Sequence, residues 1–137
     1  MSRPILLDTC AALWMSDPGK LNPAAEAELQ AAQRGELQAF VSPITAWEVG
    51  MLVAKGRLAL SSAPLHWFQA LQEDGLGLAP LNADLLVASS FLPGRLHGDP
   101  ADRVLAATAR SLGCRLMTRD RPLLAYAAAG HIQALPC

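Results

Sequence analysis

The sequence is poor in the residues that cross-link a chain or bind soft metal ions. Its 137 residues include three cysteines and three histidines, all widely spaced. An odd, scattered set of cysteines does not form a disulfide framework, and no pair of these residues has the spacing of a zinc site. We therefore expect reduced thiols. Any bound metal ion is expected to have oxygen ligands, which favours Mg²⁺ or Mn²⁺ over Zn²⁺.

A long hydrophobic run is also missing. Hydrophobic residues make up 52% of the chain and the mean hydropathy is +0.24, which is enough apolar material for a folded core. No apolar run approaches the ~18 residues that a bilayer requires. The N-terminus reaches Asp8 too soon for a signal peptide. We predict one domain over residues 1–137, cytoplasmic and without a membrane contact.

An excess of positive charge is absent as well. The net charge is −1, so the chain lacks the general basic character of a nucleic-acid-binding protein. The charge is unevenly distributed, however. Residues 1–90 contain five Lys/Arg and nine Asp/Glu, whereas residues 91–121 contain six arginines and three aspartates. A phosphate-bearing partner is expected to meet residues 91–121, and the alternative is a solvated surface of long polar side chains.

Short apolar runs alternate with helical patterns along the chain. The pattern predicts strands at 4–8, 38–41, 77–80, 115–118 and 132–134. It predicts helices at 9–15, 23–34, 43–55, 63–73, 83–91, 100–112 and 121–129, a turn at 17–19 and a loop at 93–98. Proline near helix starts and glycine after helix ends set most of these boundaries. The alternation predicts an α/β fold with a mostly parallel sheet, whose sites lie beyond the carboxyl ends of its strands.

Four acids stand at positions that suit such a site. Asp8 ends the first predicted strand, and Asp120 comes two residues after the predicted strand at 115–118. Glu48 and Asp102 lie on predicted helices beside apolar neighbours at i±3 and i±4, without a cation there to pair with Glu48. Burial of a lone carboxylate is costly unless something pairs with it.

Each acid also has a local explanation. Asp8, Asp99 and Asp120 are good helix N-caps, and Glu48 suits the surface of a helix that packs against a partner. Four carboxylates in one crevice would repel one another, and divalent ions relieve that repulsion. Such a site fits hydrolysis of a phosphodiester bond by a metal-activated water.

Four segments together resemble the PIN-domain family (PilT N-terminus), and more closely its VapC-type toxins of type II toxin–antitoxin systems. They read LLDT at 6–9, SPITAWE at 42–48, DPADRVLAATA at 99–109 and TRD at 118–120. They follow the family's order and span nearly the whole chain.

The resemblance implies a five-stranded, mainly parallel sheet flanked by helices, with the site at the carboxyl ends of adjacent strands. It implies that Asp8, Glu48, Asp102 and Asp120 bind metal and act in catalysis, with Asp99 as an accessory acid. It further implies Mg²⁺- or Mn²⁺-dependent RNA cleavage, a homodimer and a small antitoxin protein as partner. One departure is Cys10, which stands where the close subgroup often has histidine.

Residues beside the acids are the predicted substrate contacts. We expect Arg103 and Arg119 to flank the crevice, because neighbouring residues on a helix or strand point in different directions. Arg95, together with His97, extends the same track. The predicted substrate-binding set is completed by two threonines of the matching segments, Thr9 and Thr118. The alternative is that the arginines pair with acids and hold a helix start.

Two other classes of protein share parts of this pattern. A phosphatase of the haloacid dehalogenase type needs a second aspartate at the position of Cys10, and a receiver domain needs a late lysine, whereas the last lysine here is Lys55. The alternative that stays open is a PIN fold that serves as a binding module with weak or no nuclease activity.

Overall fold

A computed structural model describes residues 3–17 and 19–137 as alternating strands and helices. The elements in chain order are β1 (Ile5–Leu7), α1 (Thr9–Trp14), α2 (Pro23–Gln33), β2 (Ala39–Val41), α3 (Pro43–Ala54), α4 (Pro64–Glu73), β3 (Gly77–Leu78), α5 (Ala83–Ala88), α6 (Pro100–Leu112), β4 (Arg115–Thr118), α7 (Arg121–Ala128) and β5 (Gln133–Pro136). Among these described residues no helix is both long and apolar enough to cross a membrane.

The five strands form one parallel sheet in the order β3-β2-β1-β4-β5. The first three strands build the sheet outwards in one direction from β1, and the last two build it in the other. The reversal therefore falls between β1 and β4, where Leu7 is level with Met117. The prediction of a parallel five-stranded sheet is confirmed, and the reversal point is where parallel α/β sheets place their sites.

Helices cover both faces of the central strand. Ile5 and Leu7 face a core that contains residues of α1, α2 and α4. Leu6, between them, faces the opposite core, which α6 and α7 supply. Alternate residues of a strand point to opposite faces, and all three of these side chains are fully buried. A central strand buried on both sides holds its carboxyl end, and hence Asp8, firmly in place.

Most predicted boundaries agree with the structure to within two residues. The largest difference is α5, which was predicted to continue to residue 91 but ends at Ala88. The Ser89 carbonyl accepts a hydrogen bond from Arg103 Nε at 2.8 Å, so the chain turns there towards the loop 93–98. The predicted turn at 17–19 includes Pro18, which lies outside the described residues.

Candidate active site

The reversal point brings Asp8 and Asp120 to the same edge of the sheet. Asp8 directly follows β1, and its backbone N–H donates to the Met117 carbonyl of β4 at 3.0 Å. Asp120 comes two residues after the end of β4 and caps α7, with Oδ2 accepting from Leu123 N at 3.1 Å. The charge of Asp120 is close enough to contribute to a raised pKa of Asp8.

Helices α3 and α6 deliver three further acids to this edge. Glu48 lies in the second turn of α3, which begins directly after β2. Asp99 caps α6, with Oδ1 accepting from Asp102 N at 3.0 Å, and Asp102 lies in the first turn of that helix. Both helices start at the carboxyl edge of the sheet. The five predicted acids therefore gather there from four parts of the chain.

Buried threonines orient two of the acids. Thr118 is fully buried, and its hydroxyl bonds the Asp8 carboxylate while accepting from Asp120 N at 3.0 Å. Thr9 bonds the Glu48 carboxylate and lies 3.2 Å from the Thr45 hydroxyl oxygen. The structure thus gives the predicted substrate contacts Thr9 and Thr118 a different position. They are buried behind the carboxylates and hold them in place, rather than facing a substrate.

Burial, together with the charges of neighbouring acids, raises the pKa values of Asp8, Glu48 and Asp102. Desolvation raises the pKa of Asp102 to about 7, with the charges of Asp99, Asp120, Glu48 and Asp8 adding to the effect. Burial also raises the pKa of Asp8, which is 6% exposed, although bonds from Thr118 and Ala11 N oppose this. The pKa of Glu48 rises for the same reason, first by burial and then by Asp99 and Asp8.

Cys10 lies at the exposed rim of the acid cluster. Burial of its sulfur, followed by the charges of Asp8, Glu48 and Asp102, raises the pKa of the thiol to about 11. The group is therefore a neutral thiol at neutral pH, and it is neither a nucleophile nor a metal ligand in that state.

A histidine joins the acids that the sequence predicted. His97 Nε2 lies 3.3 Å from Asp102 Oδ2 and 3.7 Å from Asp120 Oδ2. Its Nδ1 accepts a hydrogen bond from Asp99 N at 3.1 Å, which places the proton of the neutral ring on Nε2, facing the carboxylates. Among the described residues these three side chains bring ligand atoms within 4.8 Å of one another. The sequence signal was the position of His97 in the loop before Asp99, which we had assigned to a phosphate track.

Arg103 and Arg119 do not face the crevice as predicted. Arg103 donates to the carbonyls of Ser89, Leu96 and His97, at 2.8, 2.9 and 3.4 Å. Arg119 donates to the carbonyls of Cys137, at 2.9 Å, and of Lys20, and its guanidinium carbon lies 4.0 Å from the centre of the Trp14 ring. Both side chains hold loops together. The alternative prediction, pairing with Asp99 and Asp102, does not describe them either.

The residues fit a hard divalent cation. Oxygen ligands converge from rigid elements, and the raised pKa values of Asp8, Glu48 and Asp102 indicate that burial and neighbouring acids disfavour their ionised forms in the absence of a cation. A dication is the partner that such a cluster favours, and carboxylate oxygens are the ligands that Mg²⁺ and Mn²⁺ prefer.

Comparison with known proteins identifies the family that has this fold and this acidic edge. The PIN-domain family model matches residues 5–129, and the chain belongs to the PIN-domain family. The chain is 36% identical to Ribonuclease VapC22 of Mycobacterium tuberculosis over 125 residues, which are 89% of this chain and 91% of that protein.

Solved structures share the fold. A chain in the structure of VapBC2 from Rickettsia felis, bound to a DNA fragment from their promoter, has a TM-score of 0.67 at 14% identity and covers 98% of both chains. A chain of FitAB bound to the IR36 DNA fragment has a TM-score of 0.65 at 21% identity, covering 96% of this chain and 94% of that one. A chain of FitAcB from Neisseria gonorrhoeae has a TM-score of 0.57 at 20% identity, covering 96% of each.

Proposed function

We propose that this protein is a Mg²⁺- or Mn²⁺-dependent endoribonuclease and the toxin of a toxin–antitoxin pair. The observation that carries the proposal is the cluster of five acids at the sheet reversal, in a chain that belongs to the PIN-domain family and resembles a ribonuclease over most of its length. The raised pKa values of Asp8, Glu48 and Asp102 support metal binding there.

The side chains of the site have different proposed roles in the reaction. We assign Asp8, Glu48, Asp102 and Asp120 as the residues that would hold the metal, and Asp99 as an accessory acid. When bound, a dication lowers the pKa of a water ligand and neutralises charge on the phosphate. Thr118 fixes the orientation of Asp8, and Thr9 fixes that of Glu48. The Nε2–H of His97 faces Asp102 and Asp120, so it limits how those carboxylates turn.

Cleavage in the presence of added metal tests this proposal. We expect single-stranded RNA to be cut with Mg²⁺ or Mn²⁺, and not with EDTA. Asp120→Asn should lose cleavage, whereas Asp84→Asn, the same change in the first turn of α5, should keep it. Full activity in excess EDTA would contradict metal dependence. RNA and metal binding without cleavage by the parent would favour the alternative, a PIN-fold binding module.

An antitoxin is the protein partner that we propose. Its support is that structures sharing this fold are of toxin–antitoxin assemblies such as VapBC2 and FitAB. Co-expression with the product of an adjacent short reading frame should suppress the cleavage that the isolated chain shows. A cytoplasmic location stays a prediction from the sequence.

A homodimer is proposed on one apolar face. Helix α3 carries the apolar side chains Trp47, Met51 and Val53, and Trp47 is 48% exposed. Leu86 of α5, which is 46% exposed, lines the same cleft as Trp47 and extends this face. Between α3, α5 and α6 lies a cleft of about 630 Å³. Such a concentration of exposed apolar side chains is typical of an interface between protein molecules.

Sedimentation tests the dimer with a matched pair of variants. Leu86→Ser should shift the protein towards monomer at micromolar concentration. Leu65→Ser, which alters a residue 64% exposed on α4, should not. A parent that is monomeric throughout this range would contradict the homodimer.

A further inference from the structure

A second cleft lies directly beside the acid cluster, and its walls suit a nucleic-acid strand. We propose that RNA on one side of the scissile phosphate runs through the cleft between residues 93–98 and α7, with Arg95 and Arg121 as its phosphate contacts. This inference rests on the proposed ribonuclease function and deepens it. Of the three predicted arginines, Arg95 keeps its role as a phosphate contact, and Arg121 takes the place of Arg103 and Arg119.

The loop that forms one wall is fixed from both sides. Tyr126 of α7 donates its hydroxyl to the Pro93 carbonyl. From the opposite side, Arg103 of α6 donates to the Leu96 and His97 carbonyls. A loop tied to two helices keeps its shape before a ligand arrives, which lowers the entropy lost on binding. The role of Arg103 is therefore to position this wall.

The cleft adjoins the acid cluster at His97. It has a volume of about 300 Å³, and its lining includes Arg95, Leu96 and His97 on one side and Pro122 and Tyr126 on the other. His97 belongs to both places, because its Nε2 contacts Asp102 and Asp120 while its ring lines the cleft. A strand whose phosphate reaches the acids therefore meets this cleft as its next space.

The charges on this rim are available to a ligand. Within the described residues, Arg95 and Arg121 make no side-chain hydrogen bond and no ion pair, and both are exposed. Arg95 lines the cleft, and Arg121 begins α7 one residue before the cleft-lining Pro122. A free guanidinium binds phosphate through paired N–H donors, whereas Arg103 and Arg119 have already committed donors to carbonyls.

The remaining walls suit the rest of a nucleotide. Leu96 is half-buried and Pro122 is exposed, so both offer apolar surface to the cleft. Tyr126 is 2% exposed and supports the wall from behind, where its ring packs on the half-buried His131 with centroids 4.7 Å apart. Apolar and aromatic surfaces accept bases and sugars without reading their sequence. Phosphate contacts likewise position a strand without selecting it. The cleft would therefore contribute affinity and direction, and little sequence preference.

Salt-dependent binding tests the proposal. In an inactive Asp8→Asn background, a short fluorescent single-stranded RNA of mixed sequence is titrated at several salt concentrations. We expect Arg95→Gln and Arg121→Gln each to weaken binding and to reduce the slope of log affinity against log salt by about 0.7 per lost contact. The double variant should lose about twice that. Melting temperatures should stay unchanged, because neither exposed side chain makes a hydrogen bond or an ion pair with the part of the chain that the structure describes.

Two control variants make the outcome decisive. Arg57→Gln removes the same charge beyond the far end of α3, roughly 18 Å along that helix from its first turn, and should leave binding unchanged. Lys20→Gln removes an exposed cation that is not among the residues lining the cleft and whose backbone carbonyl accepts from Arg119. A loss of affinity with Lys20→Gln, but not with the Arg95 and Arg121 variants, would overturn the proposed direction of the strand.

The remaining outcomes separate this inference from the proposed function. The parent could cleave RNA while the Arg95 and Arg121 variants show the same affinity and salt slope as Arg57→Gln. That result would overturn the proposed RNA-binding cleft and leave the proposed ribonuclease function standing. A parent that neither cleaves nor binds RNA overturns both. Equal losses in all four charge variants would show non-specific attraction and would also contradict a defined track.

Discussion

At the scale of single residues, the acids of this site serve two purposes at once. Asp8, Asp99 and Asp120 are each the N-cap of a helix, accepting a backbone N–H through a side-chain oxygen. The sequence offered capping and metal binding as competing explanations. The structure shows that a capping carboxylate keeps a second oxygen free, so the two explanations are compatible.

Asp8 separates these purposes experimentally. Asp8→Asn keeps an oxygen for the Ala11 N–H and removes the repelled charge, so we expect unchanged or higher thermal stability in the absence of metal. Asp8→Ala removes the cap and the Thr118 bond, and should cost about 1–2 kcal/mol. Both should lose cleavage. Equal destabilisation by Asn and Ala, measured by thermal melting, would show that the buried charge carries no penalty.

Asp102 should make the metal-free protein less stable as the pH rises. Its pKa is raised from 3.8 to about 7 in the folded state. The stability that its protonated form contributes is complete below pH 3.8 and is lost as the pH rises through 7. We expect melting temperature to fall between pH 5 and pH 8 in EDTA, by the equivalent of about 1–3 kcal/mol.

Substitution isolates this effect. Asp102→Asn should remove most of the fall in melting temperature between pH 5 and pH 8, and Asp84→Asn should not change that fall. Arginine partners lower the pKa values of Glu28 and Glu36 from 4.5. Titration of these two groups therefore changes the stability below pH 4.5 and not between pH 5 and pH 8. A stability that rises from pH 5 to pH 8 in EDTA would contradict the raised pKa of Asp102.

At the scale of helices and strands, the sequence predicted boundaries well wherever a residue sets them chemically. Asn22, Ser42, Asn82 and Asp99 cap helices as expected. A proline at the start of α2, α3 and α6 and a left-handed glycine after α6 add to this. Such signals are local, so one sequence suffices to read them.

The failures involve contacts between distant residues. The end of α5 depends on a hydrogen bond from Arg103 to Ser89, fourteen positions away. The position of His97 depends on the backbone of Asp99 and on two carboxylates that only the folded sheet brings near. The direction in which a long side chain points is set by such contacts, so the roles of Arg103 and Arg119 were not readable from spacing.

Gly94 gives the loop 93–98 its shape, and a paired substitution tests this. Gly94 and Gly113 both have positive φ, at 68° and 65°. A Cβ on Gly94 would overlap the His131 ring, whereas one on Gly113 would meet nothing within 4 Å. Both alanine variants should lose about 1–2 kcal/mol from backbone strain.

Gly94→Ala should lose more than Gly113→Ala, because His131 must also move. It should also weaken RNA binding, since His131 lines the cleft. Thermal melting and the RNA titration measure the two effects. Identical losses of stability in both variants would show that the loop 93–98 and His131 adjust to the added Cβ without further loss of stability.

At the scale of the whole molecule, fewer arginines are free to bind a ligand than the sequence suggests. Six arginines fall within residues 91–121. Arg103, Arg110, Arg115 and Arg119 donate to backbone carbonyls, and Arg115 also pairs with Glu28 at 2.9 Å. Two remain for a phosphate, Arg95 and Arg121. A count of charges along the chain therefore overstated the number of arginines that are free to bind a phosphate-bearing partner.

Metal binding should stabilise the entire fold, because the ligands come from four elements around the sheet. At a concentration one hundred times the dissociation constant, a single ion adds about 2.7 kcal/mol. We expect Mn²⁺ to raise the melting temperature of the parent and of Asp84→Asn, and to have little effect on Asp120→Asn. An equal rise in all three proteins would place the ion elsewhere.

The reversal between β1 and β4 has a consequence for the synthesis of the chain. Asp8 is made early, but Asp120 follows it by 112 residues, and β4 has to pair beside β1 before the two acids meet. A nascent chain that has emerged only as far as α6 holds three of the four proposed metal ligands and no complete site. If this protein is the toxin that we propose, the ribosome that makes it is not exposed to a working nuclease until β4 and Asp120 have been synthesised.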